Sequence, residues 1–142
     1  MKQLAQTIKE LQHVYFIARG VNFPVATEGA LKLKEISYIH AEGMPAGELK
    51  HGTLALIEKG TPVVLINPTD YTFHDSISNG IETKARVAFL IGVSNKPNSV
   101  YDYYIELPTP ANELFYPLLS IIPLQLLAYY TAVAKELNPD KP

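Results

Sequence analysis

The sequence predicts an α/β domain built on a parallel sheet with helices over both faces. Three observations carry this. Short, continuously apolar, β-rich runs recur along the chain, as strands buried on both sides require. Segments of helical period or strong helix formers separate them. Glycine and proline mark most of the junctions between the two kinds of segment.

Taken in order, Leu4, Ile8 and Leu11 recur at helical spacing and predict a helix over 2–12. Val14 to Ala18 is a buried strand that stops at Arg19-Gly20. Pro24 suits the first turn of a second helix, which strong helix formers extend to about His40. Gly43, Pro45 and Gly47 break it into a loop. Pro62 to Pro68 is the second strand, and Tyr71 to Arg86 a helix interrupted by Gly80. Val87 to Val93 and Tyr103 to Leu107 are the third and fourth strands. Asn112 to Leu137 is a long helix that Pro123 kinks. No internal repeat or low-complexity segment interrupts this series.

Bulk properties narrow the function. A chain of 142 residues with 47% hydrophobic content is one domain, 1–142, with a real core. A net charge of −2 without a basic block gives no footprint for nucleic acid. There is no cysteine, which excludes disulfides, thiolate metal sites and a cysteine nucleophile, and fits a reducing cytoplasm. The amino-terminal segment is amphipathic and is not a signal peptide. The apolar stretch Leu114 to Ala134 contains Pro117, Pro123 and Gln125 and favours a buried helix over a membrane span.

In such sheets, ligands bind at the carboxyl ends of the strands near a topological switch point. The loops of interest are therefore 19–23, 67–72 and 92–99. None contains the GxGxxG dinucleotide fingerprint, GxxxxGK[ST], or a dense run of Ser and Thr. No cofactor is expected.

The charged residues concentrate in EGALKLKEISYIHAEGMPAGELKHG, Glu28 to Gly52. On a helix from Pro24, positions 28, 32, 35 and 39 share one face, so Glu28, Lys32 and Glu35 are neighbours. A surface ion-pair ladder accounts for that pattern. So does a site in which Glu35 shuttles a proton and Lys32 keeps its carboxylate ionised. The other stripe, Ala26, Gly29, Ala30, Leu33 and Ile36, is small and apolar and suits packing on a sheet. A second group, Glu48, Lys50 and His51, lies in a turn between Gly47 and Gly52. A histidine in such a turn is either a hydrogen-bonder or an acid–base group. Glu28 and Lys50 are candidate substrate contacts. His40 and His51 lack partners at ligand spacing, so no metal is expected. His13 and His74 read as surface or structural residues.

EGALKLKE and GELKHG, together with ELFYPLLSIIPLQLLAYYTAVAKELNPDKP, resemble the second sugar-isomerase (SIS) half of the glutamine–fructose-6-phosphate aminotransferases, also called glucosamine-6-phosphate synthases. The likeness covers nearly the whole chain and is weakest between Asp70 and Asp102. It implies a three-layer α/β/α sandwich that binds phosphosugars such as fructose 6-phosphate and glucosamine 6-phosphate. It implies that Glu35 moves a proton between C1 and C2 of the sugar, with Lys32 beside it. It implies that His51 assists ring opening from a neighbouring subunit, and hence a homodimer.

The departures matter as well. The family's glutaminase nucleophile is a cysteine, and this chain has none. The family's first SIS half carries a Ser/Thr-rich phosphate loop that is not found here. Its tail bears a Schiff-base lysine, and the chain stops at Pro142 before that point. The chain is therefore expected to work with the remaining domains of a synthase. Two rivals are a non-catalytic phosphosugar-binding module and a stand-alone isomerase completed by dimerisation.

Overall fold

The computed structural model describes all of residues 1–142. Five strands form one sheet: β1 (His13–Ala18), β2 (His40–Pro45), β3 (Pro62–Ile66), β4 (Phe89–Ser94) and β5 (Tyr103–Glu106). Every pairing is parallel, and the order is β2-β1-β3-β4-β5. The order reverses between β1 and β3, which sets the switch point there. The helices are α1 (Lys2–Ile8), α2 (Phe23–Ser37), α3 (Phe73–Ala85) and α4 (Tyr116–Ala134).

Alternation along the strands divides the core in two. Val14, Phe16, Ala18, Val64, Ile66, Ile91 and Val93 face α1, α2 and α4 through Leu4, Ile8, Leu33, Leu124 and Leu127. Tyr15, Ile17, Val63, Leu65 and Leu90 face the other way, toward Met44, Leu49 and Ile57. This second face carries α3 and two 3₁₀ turns, Ala46–His51 and Thr53–Leu56. The result is the expected sheet between two helical layers.

The structure corrects several boundaries. The first helix ends at Ile8, and Leu11 instead folds back through a bond from its amide to the Ile8 carbonyl, 3.0 Å. The second helix ends at Ser37 rather than near His40. Tyr38 takes a left-handed conformation, φ 58°, and its amide closes on the Lys34 carbonyl. Ile39 is consequently a core residue and not part of the charged face.

The expected loop after that helix is partly a strand. His40 to Pro45 pairs with β1 from His13↔His40 to Ala18↔Pro45. HAEGMP has neither apolar continuity nor a strong strand propensity. Its extended form comes from pairing with β1 at a sheet edge, where a terminal proline is tolerated. Gly43 permits close approach, because a Cβ there would stand 2.5 Å from the Thr27 Cα of α2.

Elsewhere the differences are small. The strand expected from Val87 begins at Phe89, after an exposed Val87 in a left-handed conformation. Gly80 does not interrupt α3. It lets the helix settle on the sheet, with Leu65 and Leu90 side-chain atoms 3.0 and 3.2 Å from a would-be Cβ. The last helix is preceded by a 3₁₀ turn, Glu113–Phe115, whose Leu114 amide donates to Asn112 Oδ1 at 2.9 Å. Pro123 lies inside α4, which continues past it to Ala134.

By length and composition, residues Glu113–Ala134 could span a membrane. Here Leu124, Leu127, Ala128 and Ala132 are buried in the core. Leu118, Ile122, Leu126, Tyr129 and Val133 form an exposed apolar stripe on the same helix.

Candidate functional site

The charged face of α2 follows from its helical period. Burial of Ala26, Gly29, Ala30 and Leu33 turns Glu28, Lys32 and Glu35 outward. Lys32 Nζ donates to Glu35 Oε2 at 2.8 Å and stands 3.7 Å from Glu28 Oε1. The hydrogen bond to Glu35 is the main reason that the Lys32 ammonium is held above its ordinary range, with Glu28 adding to the effect. Burial is the next-largest influence and opposes it, without reversing the direction. The second Glu35 oxygen has no hydrogen-bond partner within the chain; a carboxylate so placed can accept a proton, and an adjacent ammonium can support oxyanion charge.

The second charged group lies elsewhere. Glu48, Lys50 and His51 belong to the turn Ala46–His51, on the α3 side of the sheet. Lys50 Nζ pairs with Glu82 Oε1 of α3 at 2.8 Å. His51 is exposed, and its Nε2 stands 3.9 Å from Glu48 Oε2. No hydrogen bond or ion pair joins this turn to the Glu28–Lys32–Glu35 face. Within one chain, then, the predicted site residues form two groups.

Sequence reading missed most of a third arrangement, at the carboxyl ends of the strands. A cavity of about 440 Å³ opens there between Arg19, Pro45, Gly47, Glu48, Thr72 and Asp75. Arg19 Nε donates to Asn79 Oδ1 at 2.8 Å, and the guanidinium lies 4.0 Å from Asp75. The three loops singled out by topology do converge. Asn22 Nδ2 donates to Asp70 Oδ2 at 2.9 Å, and the Thr69 amide donates to Asn95 Oδ1 at 2.9 Å. Thr72 donates to Asp70 Oδ1 through both its amide and its hydroxyl. The Thr69 and Thr72 hydroxyls are thus engaged within the protein. The buried Asn22 and Asn67 each keep an unpartnered Oδ1. The sequence signals for this arrangement were the Arg19-Gly20 stop after β1 and the positions of the three loops; Asp75 and Asn79 of α3 had none.

A larger cavity, about 660 Å³, lies at the opposite end of the sheet, lined by residues that include His13, Tyr15, His40 and Glu42. Its position at the amino ends of the strands sets it apart from the usual ligand crevice.

The chain and its fold are similar to known proteins. The chain is 50% identical over 144 residues to a glutamine–fructose-6-phosphate aminotransferase (isomerizing) of Thermococcus kodakarensis, covering 100% of this chain and 24% of that protein. It is 49% identical over 145 residues to the enzyme of the same name from Methanosarcina acetivorans, again covering 100% of this chain and 24% of the relative. The chain thus spans about a quarter of the length of the curated relatives it matches. Its structure superposes with a TM-score of 0.89 and 40% identity on the C-terminal domain of glucosamine-fructose-6-phosphate aminotransferase from Francisella tularensis, covering 96% of this chain and 40% of that one. Residues 7–135 match the SIS domain. The chain belongs to the SIS domain family.

Proposed function

We propose that the chain is the second sugar-isomerase unit of a glucosamine-6-phosphate synthase. In that enzyme it would help convert fructose 6-phosphate and ammonia into glucosamine 6-phosphate. The observation that carries this reading is the outward face on which one ammonium, Lys32, is shared by Glu35 and Glu28. Glu35 is the base that takes and returns the carbon-bound proton between C1 and C2. Lys32 keeps that carboxylate charged until it receives the proton. Glu28, on the same helix face, is a substrate contact beside these groups, and Lys50, paired with Glu82 on the other side of the sheet, is one beside His51.

His51 supports sugar ring opening from a second subunit. The separation of the turn Ala46–His51 from the α2 face within one chain favours that division of labour. The exposed stripe Leu118, Ile122, Leu126, Tyr129 and Val133 supplies apolar surface that an assembled isomerase would cover. For the chain alone we expect a two-fold dimer, the commonest closed assembly. In the whole enzyme, its partners are the remaining synthase domains, and its compartment is the cytoplasm.

The test is a chimera in which this chain replaces the matching segment of the Thermococcus kodakarensis relative. Glucosamine 6-phosphate formation that disappears with Glu35→Gln supports the reading. Formation that persists in the Gln variant would leave the α2 face as a surface ion-pair ladder.

A further inference from the structure

His13 and His40 begin neighbouring strands and are paired in register, His13↔His40. Both rings project onto the α3 side of the sheet, the side to which Tyr15 and Met44 belong two and four residues further along. Both histidines are exposed. Their Nδ1 atoms stand 3.3 Å apart, and the ring centroids are 5.3 Å apart with planes at 77°.

The contact is a hydrogen bond, at the long end of the range, when one ring carries the Nδ1 proton and the other does not. It fits another arrangement closely. Two imidazole nitrogens each ~2.05 Å from one tetrahedral ion stand about 3.3 Å apart, and their ring centres about 5.2 Å apart. Ligands at right angles around a six-coordinate ion of similar bond length would approach to about 2.9 Å. Imidazole nitrogen selects zinc-like and late transition ions over magnesium or calcium, which take oxygen.

The surroundings agree. The pair lines the cavity of about 660 Å³ at the amino end of the sheet, together with Glu42, Glu58 and Lys59. Two carboxylates against one ammonium favour entry of a cation. The cavity is wide enough for water to complete the coordination shell. No set of three His, Cys, Asp or Glu residues is placed to hold an ion, so an ion at this pair would take its remaining ligands from water.

We propose that His13 and His40 form a two-nitrogen chelate for a zinc-class divalent ion at the amino ends of β1 and β2. The ion sits on the sheet face opposite α2, apart from the Glu28–Lys32–Glu35 face. It pins the edge strand β2, whose sequence has little strand propensity of its own, to β1. Sequence reading passed over the pair because its members are 27 positions apart and only strand register unites them.

The test is calorimetric titration of tag-free full-length chain with Zn²⁺. One ion should bind per chain, and His13→Ala and His40→Ala should each weaken binding about tenfold or more. His74→Ala, which removes a histidine outside the pair, should bind as the parent does. His13→Gln and His40→Gln, checked by thermal melts, provide folded variants if either alanine variant is unstable. Co²⁺ substitution should give the intense visible bands of a tetrahedral ion. The proposal is overturned by any of three results: no saturable Zn²⁺ binding up to about 1 mM, parent-like affinity in either folded single variant, or a weak six-coordinate Co²⁺ spectrum.

Discussion

Lys32 Nζ bonds Glu35 Oε2 at 2.8 Å while standing 3.7 Å from Glu28 Oε1, so one ammonium serves two carboxylates on an exposed helix face. Exposed pairs of this kind contribute little to stability. Glu35→Gln should therefore shift the melting temperature by no more than about 2–3 °C. In the chimeric synthase, the same change should reduce proton exchange at C2 of the sugar by about 10²–10⁴-fold. Glutaminase activity should survive. Near-normal C2 exchange, read beside the melt, would end the catalytic assignment.

His51 is exposed and holds only a long contact to Glu48, so His51→Ala should leave the melt unchanged. If it acts across a subunit boundary, inactive Glu35→Gln and His51→Ala chimeras should complement each other. Statistical mixing of two-fold dimers restores one intact site in each heterodimer, about a quarter of all sites. Activity that stays at the level of the separate variants after subunit exchange would place both residues in the same chain's site.

The isolated chain should hold sugar phosphate weakly. The Thr69 and Thr72 hydroxyls are engaged by Asn95, Tyr116 and Asp70, and that of Ser94, at the end of β4, by the Lys96 amide. Phosphate affinity rests mainly on charge-assisted bonds, and these loops offer few free donors for them. Calorimetry with glucose 6-phosphate should find a dissociation constant well above about 1 μM. Micromolar binding would show that the chain carries a phosphate grip of its own.

The sequence made four of the five strands legible because each is a short apolar run between breakers. β2 was illegible because HAEGMP carries no such run; pairing with β1 makes it a strand. The charged face of α2 could be read from spacing along one helix. Its separation from His51 could not, since that depends on which side of the sheet each segment packs. Asn22–Asp70 and His13–His40 unite residues 48 and 27 positions apart, and no local pattern announces such pairs. Gly80 was visible, but it reads as an interruption unless Leu65 and Leu90 are known to lie beneath it.

Leu124 of α4 is fully buried and lies against α2 where Gly29 leaves room; a Cβ at Gly29 would stand 2.5 Å from Leu124 Cδ1. Leu124→Ala removes the contact and leaves a cavity between the two helices. It should cost about 2–5 kcal/mol in urea unfolding. A loss below about 1 kcal/mol would mean that α2 and α4 collapse to fill the gap.

Tyr101 connects packing to pH. Its ring lies on Gly92, with ring atoms 2.5 Å from a would-be Cβ, and its hydroxyl accepts from Asn67 Nδ2 at 3.0 Å. Burial pushes the hydroxyl above its ordinary value, against the opposing hydrogen bonds from Asn67 and Ser94. In the unfolded chain a tyrosine ionises near about pH 10, whereas the folded chain keeps its proton to higher pH. The unfolded state therefore binds fewer protons in that interval, and stability falls as pH rises. This contribution is fully present below about pH 10 and is lost as pH climbs through the raised folded value. Tyr101→Phe removes it, but at neutral pH it also leaves the Asn67 amide without its acceptor, costing about 1–3 kcal/mol. Chemical unfolding should accordingly find the variant less stable near about pH 8, with the gap to the parent narrowing toward about pH 11. Tyr15 and Lys32, both shifted upward, give both proteins a shared alkaline decline that cancels in the comparison. Tyr104, raised chiefly by burial and then by Glu106, loses only its smallest cause, the Tyr101 charge, in the variant. A gap that stays constant across this range would mean that Tyr101 ionises with the same ease folded and unfolded.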